Sequence, residues 1–432
     1  MKTKLLGTAL ALGLASSAVM AGGVGGGNAN SNWTIYGWQN WSWEQVSVDT
    51  TSIDPADTDG ERDRDFSRIN NNAANIGFAA SLPTGMSLGG QEIKVNFQCE
   101  QFTFHNRLNG ISDFCNRNSK ISLSGAFGEI MFGQWLLPYN EMVAQWVDPF
   151  YDAGADSHTS IMGSVGYGTL FYNGGFGFTG ASKQGFNRRQ EEVIQYWSPN
   201  LNGFTFRLAT TNANGGEETQ VTGVSGVDDL DPRIWSTGVA YETTLANGNN
   251  VWLAATYQKH DEWAAVDFAC DDSDDDSYRL AARYIHQWGG GMSTQISAMW
   301  EELEYDWSGC TVGTLLSGNA ALTSNTADLE LEKESWMISG KQTFGNGFDV
   351  RASYMDADEF DCSTCDVTED DTDATAFNLG VYYTMPAGTE LRLTYSDVDN
   401  ESNANYDFGI GGAGTVVGGD ADMFAFGIVQ WF

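Results

Sequence analysis

The sequence predicts an all-β protein, a transmembrane antiparallel β-barrel of sixteen strands. Two observations carry that expectation. Short turns rich in Gly, Pro and Asn alternate with long, mostly acidic segments along the chain. The stretches between them alternate apolar with polar or small residues, the period of a strand with two unlike faces. The short turns fall at 82–85, 125–128, 199–203, 246–249, 288–291, 345–347 and 385–388. The long segments centre near Asp57, Asn109, Asp152, Gly223, Asp274, Gly318, Asp366 and Gly411. Seven turns and eight long segments make fifteen connections, hence sixteen strands, with both chain ends on the short-turn side. Outer-membrane barrels show this asymmetry, with short periplasmic turns and long extracellular loops. A soluble sandwich has no reason to keep it.

The ends and the composition narrow the class. Residues 1–21 read as an export signal: Lys2 and Lys4 start it, Leu5 to Leu14 form the apolar run, and Val19-Met20-Ala21 form the cleavage site. The mature chain is expected to span 22–432. No later stretch carries 18 consecutive apolar residues, so no membrane-spanning helix is expected. An aromatic content of 13% with 51 Gly suits aromatic girdles and tight turns. The formal net charge is −36, and without Lys2 and Lys4 it is 19 basic against 57 acidic residues, or −38. Such a chain is not expected to bind nucleic acid. The acidic runs Asp54-Pro55-Ala56-Asp57, Asp271 to Asp276 and Glu369-Asp370-Asp371 either solvate the long loops or attract and bridge cations.

Six cysteines in an exported chain allow fifteen pairings. Local pairing is the simplest: Cys99 with Cys115, Cys270 with Cys310, and Cys362 with Cys365. No second CxxC completes a zinc site beside Cys362-Ser363-Thr364-Cys365, so a loop staple is expected there.

Strand parity assigns faces. Leu391, Leu393 and Tyr395 oppose Glu390, Arg392 and Thr394; Phe348, Val350, Ala352 and Tyr354 oppose Asp349, Arg351 and Ser353. Ile93, Val95 and Phe97 oppose Lys94, Asn96, Gln98 and Glu100, and Leu280 and Ala282 oppose Arg279, Ala281 and Arg283. The sequence supplies no amphipathic helices to cover the apolar faces. They are therefore expected to face lipid, with the polar faces toward a wet lumen. Sixteen strands leave an aqueous channel. Gly168 to Gly180 also has strand character; a seventeenth strand would put one terminus outside, so it is placed inside the third loop, 136–189.

Several motifs, in order, resemble the general bacterial porin family over essentially the whole mature chain. Thr34-Ile35-Tyr36-Gly37 resembles the first strand, Ser67-Arg68-Ile69 with Ile76-Gly77-Phe78 the second, and Lys94 to Glu100 the third. Arg117 to Gly133 is the most specific match, followed by Glu192 to Phe204. The ending Phe424, Phe426, Ile428 and terminal Phe432 resembles the signal read by the outer-membrane insertion machinery. The resemblance implies a homotrimer in the outer membrane of a Gram-negative bacterium, among lipids and lipopolysaccharide. It implies that the third loop folds into each lumen, its Glu141, Asp148, Asp152 and Asp156 facing basic residues on the opposite wall, with Trp146 and Tyr151 beside them. By motif position those bases are Arg68, Arg117 and Arg188 or Arg189. Strand parity adds Lys94, Lys120, Arg279, Arg283, Arg351 and Arg392. Trp38 stands where enteric members carry Lys, and Arg117 shares parity with Ile121 and Leu123, so it reaches the lumen only where the strand bulges.

Each assignment has a plainer alternative. The bases could snorkel to headgroups, and the loop acids could tether the loop to the wall. The four histidines, His105, His158, His260 and His286, lie far apart, and no HExxH occurs, so no catalytic or metal role is expected. The expected function is passive diffusion of ions and small hydrophilic solutes, with cation preference, no enzymatic activity and no cofactor. A sugar-specific channel would use an aromatic track through Trp38, Trp135, Trp146 and Trp252. A barrel-scaffold hydrolase or an adhesive barrel are the remaining readings.

Overall fold

The computed structural model describes residues 24–28, 31–49, 64–103, 114–151, 157–164, 185–212, 232–263, 272–309, 328–363, 370–409, 412–415 and 417–432. The export signal, the segment 168–180, and Asp152, Asp156, Cys270, Cys310 and Cys365 lie outside them.

Sixteen antiparallel strands close into one barrel. They are β1 (Ser31–Val48), β2 (Arg64–Asn71 and Asn75–Leu88), β3 (Gln91–Phe102), β4 (Ser119–Gly125), β5 (Gly128–Leu136), β6 (Arg189–Trp197), β7 (Phe204–Asn212) and β8 (Arg233–Thr244). The second half is β9 (Asn250–Asp261), β10 (Asp272–Gly289), β11 (Met292–Ser308), β12 (Leu329–Thr343), β13 (Phe348–Ala357), β14 (Ala374–Thr384), β15 (Thr389–Asn400) and β16 (Ala421–Trp431). Each strand pairs with the next, and β16 pairs with β1, so no edge is left open. Below the C-terminus, a short strand Val24–Asn28 pairs with Ser31 to Ile35 of β1. No helix among the described residues is long and apolar enough to cross a membrane.

The expected faces are present. Leu280, Ile296 and Ile338 are more than half exposed, while Arg279, Ser297 and Ser339 on the same strands are buried. So much exposed apolar surface on one wall requires a lipid partner. Outward aromatics form a belt, with Tyr257 against Tyr278 at 4.8 Å and Trp336 against Tyr354 at 5.5 Å. Just above it, outward carboxylates stand directly opposed across strands: Glu302 with Glu334, Glu304 with Glu332, and Asp306 with Glu330.

Two boundaries differ from expectation. The first short turn is Gly89-Gly90, at φ of 60° and 78°, rather than residues 82–85. Paired positive φ values suit a tight hairpin, and Pro83 instead sits at a register shift inside β2, where a missing N–H is tolerated. The acidic run Asp272 to Asp276 belongs to β10 rather than to the fifth loop. Its residues alternate: Ser273 and Asp275 are buried inside, and Asp274 and Asp276 point outward.

The inner wall carries an apolar row that no local pattern reveals. Ala240, Ala254, Ala281, Met299, Met337, Met355, Ala376, Val398, Ala421 and Val48 are each directly opposite the next across neighbouring strands. The row climbs from near the short-turn end of β8 to the long-loop end of β1. Loop residues Met142, Val143, Val147, Ile161 and Met162 pack on it, and Tyr406 and Phe408 pack at its top.

Candidate pore constriction

The third loop connects β5 and β6, and its described residues, 137–151, 157–164 and 185–188, lie against the inner wall. Pro138 opens a one-turn helix α1 (Pro138–Glu141), where its missing N–H costs nothing. A second turn α2 (Ala144–Val147) follows. Gly238 lets α1 approach the wall: a Cβ there would lie 2.8 Å from Met142 Sδ and 2.6 Å from Thr256 Cγ2. Polar bonds then fix the loop along β8 to β13. Thr256 Oγ1 donates to the Tyr139 carbonyl at 3.1 Å, Ser339 Oγ to the Val147 carbonyl at 2.6 Å, and Arg351 Nη1 to the Pro149 carbonyl at 3.0 Å.

Glu301 of β11 is the central peg. It accepts from the Tyr139 hydroxyl at 2.6 Å and from the Gly163 N–H at 2.6 Å, gathering two distant parts of the loop. Arg279 pairs with it, all fully buried. Lys333, also fully buried, donates to the carbonyls of Ile161 (3.0 Å) and Ser164 (2.6 Å). The eighth loop covers this arrangement. A Cβ at Gly409 would lie 2.0 Å from Thr159 Oγ1. Asp407 accepts from the backbone N–H groups of Phe408, Ala413 and Gly414, shaping the loop, and Arg68 donates to the Gly412 carbonyl at 2.8 Å.

Beside the loop lies a cavity of about 340 Å³. Trp38, Arg117, Glu141, Asp148, Arg283 and Lys341 contribute to its lining. A second cavity of about 510 Å³ opens toward the short-turn end, with Lys94 and Arg207 on its wall and Trp146 shared between the two.

The sequence-predicted bases therefore separate. Arg117 and Arg283 line the first cavity, and Lys94 lines the second. Arg117 turns inward although it shares parity with lipid-facing Ile121 and Leu123, because β4 begins only at Ser119 and Arg117 and Asn118 are both buried. Arg279 is sealed beneath the loop. Arg68 bridges Glu44 at 2.6 Å near the eighth loop, and Lys120 bridges Glu129 at 2.6 Å between Trp135 and Trp197. Arg351 and Arg392 form a ladder with Asp349 and Glu390 beside Tyr382. Arg189 donates to Asn118 at 2.7 Å, and Arg188 lies over Trp263.

The described loop acids are bound within the structure. Glu141 accepts from Trp135 Nε1 at 3.0 Å and pairs with Arg207. Asp148 accepts from the N–H groups of Phe150 and His158 and meets His158 Nδ1 at 2.9 Å. Trp135 is buried, so of the aromatic track only Trp38 and Trp146 border the first cavity. Lys333, Lys341, Arg207 and the wall acids Glu44, Glu129 and Glu301 were missed, whereas parity had already turned Glu100 inward. Extending strand parity to β7 and β12 would have found Arg207, Lys333 and Lys341. Cys99 pairs with Cys115, and Cys362 is also disulfide-bonded, its partner outside the described residues. No cluster of three metal-ligating side chains occurs among the described residues.

A family model described as Gram-negative porin matches residues 8–403. The chain belongs to the Gram-negative porins. Its place is the outer membrane, as a channel for small solutes. Solved structures of outer-membrane proteins share the fold of this porin at low identity. The anion-selective porin from Comamonas acidovorans is 18% identical, with a TM-score of 0.62 over 93% of this chain and 100% of its own. OmpT of Vibrio cholerae, in trimer form, gives 12% and 0.54 over 93% and 100%. OmpF of Salmonella typhi, in complex with daunomycin, gives 13% and 0.53 over 95% and 100%. No curated protein sequence matches this porin.

Proposed function

We propose that this porin is a homotrimeric, non-enzymatic channel through which ions and small hydrophilic solutes diffuse down their gradients. The observation that carries the reading is the third loop, seated on the wall of a closed barrel and leaving a cavity lined by charged and polar side chains. The role needs no cofactor. His260, for which no catalytic role is expected, is fully buried and stacks on Phe186 at 4.5 Å. Gly85-Met86-Ser87-Leu88-Gly89 has the spacing of a nucleophile motif, but it closes a β-hairpin rather than a strand-to-helix turn.

The cation preference comes from the mouth. The chain's net charge is −36, and the opposed carboxylates of β11 and β12 concentrate cations around the long-loop end. Such distant charges act only within about 8 Å at physiological salt, so the preference weakens as salt rises. Single-channel recording in a planar bilayer under a salt gradient tests both statements. Ohmic steps arriving in threes, with a cation-signed reversal potential at low salt, are expected. Silence from well-folded trimers would end the open-channel reading.

A further inference from the structure

We propose that the constriction holds a subsite for small oxyanions, carboxylate or phosphate, built by Arg283 and Lys341 with Gln295 between them. The proposal rests on the channel reading and names a solute class that the pore retains in passing.

The charges lining the cavity are unequally satisfied. Its two acids are occupied: both Glu141 oxygens meet Trp135 Nε1, and Arg207 pairs with the same carboxylate. Both Asp148 oxygens accept bonds from the loop itself. Glu141 is thus matched by a cation, and Asp148 has its oxygens held by the loop rather than turned to a passing solute.

The bases differ. Lys341 is half-buried, and its nearest carboxylate, Asp349, stands 3.7 Å away, beyond hydrogen-bond reach. Asp349 is already held by Arg351 through both oxygens, at 2.6 and 3.2 Å. Arg283 donates an ordinary bond to Asn250 at 3.1 Å, but reaches Glu242 only at 3.3 Å and the Trp146 carbonyl at 3.5 Å, loose contacts for a guanidinium. Its Nε is buried and has no partner among the described residues. Glu242, its only carboxylate partner among the described residues, is about half exposed, so that pair is weak.

Register brings these groups together. Gln295 lies directly opposite Lys341, and Arg283 lies opposite Ser297, the next inward residue after Gln295. Trp146 borders the same cavity, stacked on Trp252 at 6.0 Å with Arg283 over its ring at 4.9 Å. An oxyanion here would accept from a guanidinium and an ammonium held on rigid strands, and from Gln295 Nε2 in exchange for its long 3.4 Å bond to the Trp146 carbonyl, the bond to Ser297 Oγ at 3.1 Å being kept. Such charge-assisted bonds strengthen where the wall excludes water.

The test uses the full-length trimer in a planar bilayer at 1 M KCl, about the concentration at which mouth charges are screened beyond 3 Å. Inorganic phosphate and succinate are the probes, and glycerol is the neutral comparator. Either anion is expected to reduce open-channel current saturably, while glycerol does not; the two separate phosphate from carboxylate recognition. Lys341→Gln and Arg283→Gln each weaken the block about tenfold. Arg283→Lys keeps most of it. Lys259→Gln, on the outer face in a pair with Asp274, leaves it unchanged. Ohmic steps with no saturable block, or block in both Gln variants as strong as in the unsubstituted channel, would overturn the subsite while the channel stands. Absence of any conductance would overturn both.

Discussion

Glu301 shows how much one side chain can hold in place. It neutralises buried Arg279, bonds the loop at Tyr139 and Gly163, and faces no solvent. Glu301→Ala strands two buried cations, Arg279 and Lys333, and is expected to cost about 3–5 kcal/mol in trimer melting. Glu301→Gln keeps the shape but loses the charge, and is expected to raise open-channel noise as the loop loosens. Gly238→Val acts differently, pushing α1 from the wall. We expect higher single-channel conductance and a larger cut-off for neutral polyethylene glycols; unchanged values would show that the loop finds another seat. Parity placed Arg279 inside the barrel, but the sequence could not show that a loop far away would bury it. Position along a strand sets the face, whereas tertiary contact sets whether that face is wet.

Among the elements, the strands were the most legible and the loops the least. Alternation placed Leu391 to Tyr395 outward and Glu390 to Thr394 inward, as the structure has them. The hairpin at Gly89-Gly90 was displaced because Pro83 and Gly85 look like a turn even where they form a bulge. Asp272 to Asp276 looked like loop because its charges conceal a period of two. The Cys99–Cys115 bridge closes 16 residues and ties the second loop down beside Arg117. Replacing both cysteines with Ser is expected to lower unfolding free energy by about 3 kcal/mol in denaturant. It should also change the reversal potential, because Arg117 lines the cavity. A shift in stability without a shift in selectivity would separate the two roles.

For the whole molecule, the uneven charge has two separable effects. Carboxylates opposed across β11 and β12 repel. Melting temperature is therefore expected to rise with salt, and a flat profile would mean those charges are already compensated. Acidity acts on the same mouth. Burial holds the carboxyls of Asp358 and Asp373 above the usual carboxylate range, and the neighbours Asp356 and Glu359 respectively add to it. A raised value means the folded loop binds the proton more tightly than the unfolded chain does. That contribution to loop stability is present in acid and is lost as pH rises through the raised range. The mouth charge moves the opposite way. At 0.1 M salt, any cation preference is expected to decline as pH falls through the raised range of these two groups, before ordinary carboxylates titrate. Composition alone foretold the acidic mouth. The pairing inside the lumen was hidden, because Glu100 and Glu129 meet Arg117 and Lys120 across neighbouring segments, a match that face parity alone does not give.

The apolar row inside the barrel also bears on how such a chain can change over generations. Its seat for the third loop depends on register rather than on any one residue: Ala, Val and Met serve in turn. Point substitutions among small apolar residues should therefore drift freely there. A one-residue insertion in a strand from β8 through β16 or in β1 would turn that strand's inner residues to the lipid and break the row. Length variation among descendants should be confined to the loops, with the strand spans held nearly constant.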